Sequence, residues 1–226
     1  VPYRELVPFA DAIHTDRLLR ENNEKLRQEF TANVSHELKT PLTSISGYAE
    51  LLENGIAKPN DVASFGAKIH AEASRMIALV NDILQLSQLD EMNENADRAP
   101  VFETVDLAEI ARNCVEQQKV NAQRAYITLS ALGESAVIQG DRAMLEDLCQ
   151  NLCDNAIRYN RPGGKVQITT VRRKDGCSLA VRDDGIGIPQ EAQNRVFERF
   201  YRVAKSHSKA TGGTGLGLAI VKHIAL

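Results

Sequence analysis

The chemistry in this sequence starts at His36-Glu37-Leu38-Lys39-Thr40-Pro41. A neutral imidazole is a nucleophile at physiological pH when its second nitrogen is held by a hydrogen-bonding partner, and Glu37 is a carboxylate in reach of that task. Val34 and Leu38 belong to an apolar stripe with helical spacing. At about 100° per residue His36 lies roughly 200° from each, so the imidazole is expected to face solvent. Pro41 removes the amide that would bond the Glu37 carbonyl, and a bend is expected at this turn. An exposed surface histidine on a charged helix is the plainer reading of the same residues.

Three further clusters follow. Asn151, Asn155 and Arg158 recur at i, i+4 and i+7 and share one helical face. Two carboxamides stacked with a guanidinium suit a weakly held Mg²⁺ and its phosphates, since that ion takes oxygen ligands and few of them from protein. A solvated polar face is the alternative. Asp183-Asp184-Gly185-Ile186-Gly187-Ile188-Pro189 follows an expected strand, where Gly185 and Gly187 permit a tight turn beside a planar ligand and a carboxylate can accept from an exocyclic amine. Too few oxygens follow at alternate positions for a calcium loop. Gly212-Gly213-Thr214-Gly215-Leu216-Gly217-Leu218 opens a helix and can offer amides to phosphate. It lacks the Lys-Ser/Thr of a P-loop and follows no first-crossover strand.

These clusters need elements to carry them. The 226 residues are 43% hydrophobic and 25% charged, enough for one or two packed domains. A net charge of −3 recommends neither nucleic acid nor anionic lipid as partner, so any phosphate site is local. Leu19, Leu26, Phe30, Val34, Leu38, Leu42, Ile45 and Leu52 mark one long amphipathic helix ending at Asn54-Gly55. Val62, Phe65, Ile69, Ala73, Met76, Val80, Ile83 and Ser87 form a heptad-like seam after Lys58-Pro59-Asn60-Asp61. Such a hairpin cannot enclose a core alone, and a homodimeric four-helix bundle is expected.

The polar stretch from Asp90 to Pro100 reads as a linker, which divides the chain into residues 1–92 and 93–226. Beyond it, strands are expected at Ile127–Ser130, Ala136–Gln139, Val166–Arg172 and Ser178–Arg182. Helices are expected at Leu107–Ala122, Arg142–Tyr159, Glu191–Phe200 and from Leu216 onward, giving an α+β chain with helices on one face of a mixed sheet. The four cysteines form no regular framework and suggest a reducing compartment, with Cys149 and Cys153 as core residues and not a metal pair. No run approaches the roughly 20 apolar residues of a membrane span, and a chain opening at Val1 and stopping within an apolar pattern reads as an excerpt.

In order and spacing, these motifs resemble the transmitter core of a sensor histidine kinase. Phe30–Leu42 is similar to the H-box, Asn151–Tyr159 to the N-box, Asp183–Ile188 to the G1 box, Val196–Arg202 to the F-box and Gly213–Leu218 to the G2 box. The resemblance spans residue 16 to the end. It implies a dimerisation and phosphotransfer hairpin followed by an ATP-binding α/β sandwich of the gyrase, Hsp90, histidine kinase and MutL type, which in the family continues into further strands.

Carried over by position, the resemblance makes His36 the phospho-acceptor, Glu37 its activating base and Thr40 the residue that orients water for dephosphorylating a partner. Asn155 matches the Mg²⁺ ligand and Asn151 supports metal and phosphates. Arg158 stands where the family often has lysine, Tyr159 follows it, and Asp183, not Asp184, is the acceptor for the adenine amino group. Gly185, Gly187, Gly213, Gly215, Leu216 and Gly217 complete the nucleotide loops, and Arg202 is a basic residue near the γ-phosphate. The polar run Lys205–Lys209 reads as a nucleotide lid.

The implied activity is ATP- and Mg²⁺-dependent autophosphorylation of His36 and transfer to a response-regulator receiver aspartate. The implied setting is the cytoplasmic portion of a membrane sensor, with nucleic acid absent from its partners. A hydrolysing ATPase of the same superfamily carries a glutamate where this chain has Asn151. A nucleotide-binding scaffold without catalysis is disfavoured by His36, Asn155 and Asp183 standing together.

Overall fold

The computed structural model describes residues 7–94, 101–203 and 213–225. The lid segment and the end of the expected linker lie outside them. The chain divides into two compact units, Val1–Met76 and Ile77–Leu226.

In the first unit, α1 (Val7–Glu53) is one helix that continues through Pro41. It ends as a Gly-terminated helix should, with Gly55 at φ +66° and the Ile56 amide donating to the Leu51 carbonyl at 3.1 Å. The chain returns in α2 (Val62–Glu94). Tyr48 and Phe65 stack with centroids 5.2 Å apart, and Lys68 lies over both rings. Glu37 meets Arg75, so residues descending along α1 meet residues ascending along α2 and the hairpin is antiparallel. Phe65, Ile69, Ala73 and Met76 are half-buried on the expected seam.

Beyond Met76 a further set of side chains is buried. Val80 is 41% exposed, whereas Leu79, Leu86 and Leu89 are buried. This stretch of α2, Ile77–Glu94, belongs to the second unit. A stretch that packs on new neighbours buries a different set of side chains, which periodicity alone does not reveal. The helix also runs to Glu94, into the segment expected to be a linker.

The second unit adds β1 (Glu103–Asp106), α3 (Leu107–Arg124), β2 (Thr128–Gly133), β3 (Val137–Gly140), α4 (Arg142–Arg158), β4 (Lys165–Arg173), β5 (Gly176–Asp183) and α5 (Gly217–Ala225). β1 and β3 pair antiparallel, and β2, β4 and β5 form a sheet in which β2 and β4 run parallel while β4 and β5 are antiparallel. Val166, Ile168 and Thr170 alternate inward on β4 and are fully buried. Val166 and Ile168 meet Ile110 of α3 with Cys149 and Cys153 of α4 in one core.

Asp106 caps α3, accepting from the Ala108 amide and from Ala136 across the turn, both at 3.0 Å. Those two amides hold its carboxyl below the ordinary range. Asp141 caps α4 through the Met144 amide at 3.1 Å.

The helix expected at Glu191–Phe200 is replaced by a 3₁₀ turn, Gln190–Ala192, and a run of short turns. The cause is tertiary: Phe200 sits at φ +63°, and its amide donates to the Gly215 carbonyl at 2.9 Å. The strand β1 carries too short a pattern to be seen in the sequence and forms because it pairs with β3.

Candidate active site

His36 is solvent-facing, its side chain 79% exposed, as its position opposite the stripe requires. Glu37 is more enclosed and directs one carboxylate oxygen to His36 Nδ1 at 3.8 Å and the other to Arg75 Nη2 at 3.6 Å. A carboxylate beside Nδ1 leaves Nε2 as the outward nitrogen. Thr40 donates its hydroxyl to the His36 carbonyl at 3.2 Å, one turn along, and so sits on the histidine's side of the helix. Arg75 was not singled out in the sequence, because its partner lies 38 positions away on the other arm of the hairpin.

In the second unit three segments converge on the end of α4. Asn151 uses its amide nitrogen on the Asp147 carbonyl at 2.9 Å, which turns its oxygen outward. A Cβ at Gly217 would lie 2.7 Å from that oxygen and 3.6 Å from Asn155 Nδ2, so only glycine lets α5 start against these two carboxamides. A Cβ at Gly213 would meet Arg158 Nη1 at 2.9 Å and the Tyr159 hydroxyl at 3.2 Å. Gly215 takes φ +76° against Phe200, and Leu216 is buried with its amide 3.3 Å from the Thr214 hydroxyl.

The β5 loop closes the third side. A Cβ at Gly185 would collide with the Tyr159 carbonyl, and Ile186 donates its amide to that carbonyl at 3.1 Å. Gly187 turns the chain at φ +70°. The two adjacent carboxylates have different tasks. Asp184 accepts the Lys165 amide at 2.6 Å and is held below the ordinary range by that bond, which ties the loop to β4. Asp183 accepts the Gly185 amide at 2.9 Å through one oxygen. Arg202 is half-buried at the end of the described F-box segment.

Beneath this surface Asp154 accepts from Gln118, which is itself buried, at 2.5 Å, and burial pushes its carboxyl up. Cys149 and Cys153 are fully buried, as core residues should be; the neighbouring Cys114 thiol and burial hold both thiols up. Among the described residues no three His, Cys, Asp or Glu side chains gather to hold a metal.

Two family models match the chain. Residues 26–91 match the His Kinase A (phospho-acceptor) domain, and residues 140–226 match the histidine kinase-, DNA gyrase B- and HSP90-like ATPase. The SenX3 sensor-like histidine kinase of Mycolicibacterium smegmatis is 40% identical over 218 residues, which cover 96% of this chain and 56% of that protein. The chain carries the phospho-acceptor and ATPase domains of a histidine kinase transmitter core.

Solved relatives carry the same architecture. The AdeS histidine kinase of Acinetobacter baumannii superposes with TM-score 0.65 at 26% identity, covering 84% of this chain and 85% of that one. ThkA, solved in complex with the response regulator TrrA, shares the fold with TM-score 0.67 at 24% identity, over 84% of this chain and 55% of that one. The kinase chain spans only about half the length of the SenX3 relative. Among the described residues no helix is long and apolar enough to cross a membrane.

Proposed function

We propose that this chain autophosphorylates His36 from ATP and passes the phosphoryl group to an aspartate of a response-regulator receiver domain. The observation that carries the reading is an exposed imidazole with a carboxylate beside one nitrogen, in a chain that also brings two carboxamides, an arginine and a glycine loop together on α4. Asp183 has one carboxylate oxygen on Gly185 and its second is suited to the adenine amino group. Amides of the Gly213–Gly217 loop and Arg158 receive the phosphates, and Arg202 reaches the γ-phosphate. Tyr159 frames the base with Gly185 and Gly187.

The donor set fits Mg²⁺. The ion keeps water and substrate phosphates as most of its ligands, so Asn155, with Asn151 beside it, suffices without a carboxylate cluster. When bound it neutralises charge on the transferring phosphate. Glu37 polarises the Nδ1 proton while Nε2 attacks the γ-phosphorus and ADP leaves; Arg75 holds the far carboxylate oxygen. Thr40 orients water toward the aspartyl phosphate of the partner in the reverse activity.

Exposed Val62, Ile77, Val80 and Leu84 on α2 support homodimerisation of the hairpin. The division at residues 92 and 93 is kept as the functional boundary, and the chain is read as the cytoplasmic part of a membrane sensor. The test is incubation with γ-labelled ATP and Mg²⁺. Label that is lost in acid and kept in base supports phosphohistidine; label stable in acid, or none with ATP bound, overturns the reading.

A further inference from the structure

One face of α2 meets the glycine loop, α4, Arg199 and α5. Within the second unit, Asp82 accepts the Thr214 hydroxyl of the glycine loop at 2.6 Å, and Gln85 donates to Asp147 of α4. Asp90 receives Arg199 at 2.7 and 3.0 Å, with His223 Nε2 of α5 at 3.6 Å from the same carboxylate. Leu79, Leu86 and Leu89 on this face are buried, so the polar contacts stand on an apolar seat. Asp82 therefore places a half-buried carboxylate at the loop between Gly213 and Gly215, within the electrostatic influence of Arg158. Burial pushes this carboxyl up, while the Thr214 hydroxyl stabilises its charged form.

Thr214 and Arg158 line the place that the proposed function gives to the polyphosphate of ATP. A carboxylate and a polyphosphate repel, and they compete for the same donors. We propose that Asp82 is a built-in competitor of the ATP polyphosphate, and that the Asp82–Asp90 face of α2 is a docking surface that the glycine loop must leave for nucleotide to bind. The inference rests on the reading of this site as an ATP site. Docking then lowers apparent ATP affinity by the fraction of molecules undocked, and anything that weakens the dock returns that affinity. Adenosine, which carries no phosphate, is indifferent to it.

The test is equilibrium binding of adenosine, ADP and ATP, with Mg²⁺, to the full chain and two variants. Asp82→Asn keeps an oxygen for the Thr214 hydroxyl and removes the charge. Asp90→Asn weakens the Arg199 anchor at the far end of the surface, away from the phosphates. Both are expected to tighten ATP three- to tenfold, ADP less, and adenosine not at all. An equal shift for all three ligands, or none, makes the contacts merely structural and overturns the proposal. A gain in Asp82→Asn without one in Asp90→Asn leaves local repulsion and overturns the docking. Failure of the parent chain to bind ATP at all instead removes the ATP-site reading on which the proposal stands. Should Asp82→Asn fail to fold, Asp90→Asn alone decides: no selective gain for ATP overturns the docking.

Discussion

The two units solve the problem of holding reactive groups in opposite ways. Around His36 the chemistry is local: histidine, glutamate and threonine fall within five consecutive residues that the helix orders, and Arg75 comes from the other arm of the hairpin. Around α4 the chemistry is assembled. Asn151, Asp183 and Gly217 come from separate segments, and glycine stands where a Cβ would strike the neighbouring segment. A phospho-acceptor must present itself to more than one partner, so exposure on a sparse helix suits it. A nucleotide site must bind selectively, which requires preorganised walls and a packed core beneath them.

The largest expected effect lies in the local site. His36→Gln removes all acid-labile label while ATP binding and hairpin assembly persist, as filter assays and calorimetry will record; residual label breaks the assignment. In the assembled site the losses are graded. Asp183→Ala leaves an adenine donor unmatched and weakens nucleotide by about 1–3 kcal/mol, the cost of an unmade buried hydrogen bond. Asn155→Ala keeps more of the nucleotide affinity and loses the Mg²⁺ requirement together with phosphorylation, so titrations of nucleotide and of Mg²⁺ should separate the two variants.

Next come changes that divide the labour along α1. Thr40→Ala should autophosphorylate within a few fold of the parent but dephosphorylate a cognate regulator poorly, and Glu37→Ala the reverse. Regulator-phosphate lifetime with ADP present measures it. Arg75→Met sharpens the point from the other arm of the hairpin. It should lower the autophosphorylation rate a few fold with the KM for ATP unchanged, since Arg75 acts through Glu37.

The smallest effect belongs to the second unit's stability. His223 is held below its ordinary pKa by burial, with Arg199 and Lys222 adding repulsion and Asp90 opposing it. The unfolded chain therefore binds the extra proton more readily. The stabilisation is whole above the unfolded value of 6.5 and fades as pH falls through 6.5 toward the lowered value. Urea midpoints of the parent should drop between pH 7 and 5 by more than those of His223→Asn.

Much of this molecule was legible in the sequence. The hairpin arms, the turn at Asn54-Gly55, the inward alternation of Val166, Ile168 and Thr170, and the packing of Cys149 and Cys153 all follow from periodicity and residue type, which act over a few positions. The site motifs were legible for the same reason, since each is a short run. Periodicity was less informative where the partner was remote. It placed a dimer seam of α2 on Val80 and Ile83 but gave no sign that Leu79, Leu86 and Leu89 on another face are buried within the second unit. It made a helix of Glu191–Phe200, although the amide of Phe200 is committed to Gly215.

The sequence by itself determined the local geometry: which face His36 takes, which residues cap α3 and α4 and where glycine must stand. Only the tertiary structure decided that Arg75 meets Glu37, that Asp184 is committed to β4 while Asp183 accepts the Gly185 amide, and that Asp82 meets Thr214 of the glycine loop while Asp90 meets Arg199. The physical reason is range. Helical spacing and turn chemistry are fixed by neighbours within about four residues, whereas a charge chooses its partner only after packing has excluded water between segments far apart in the chain.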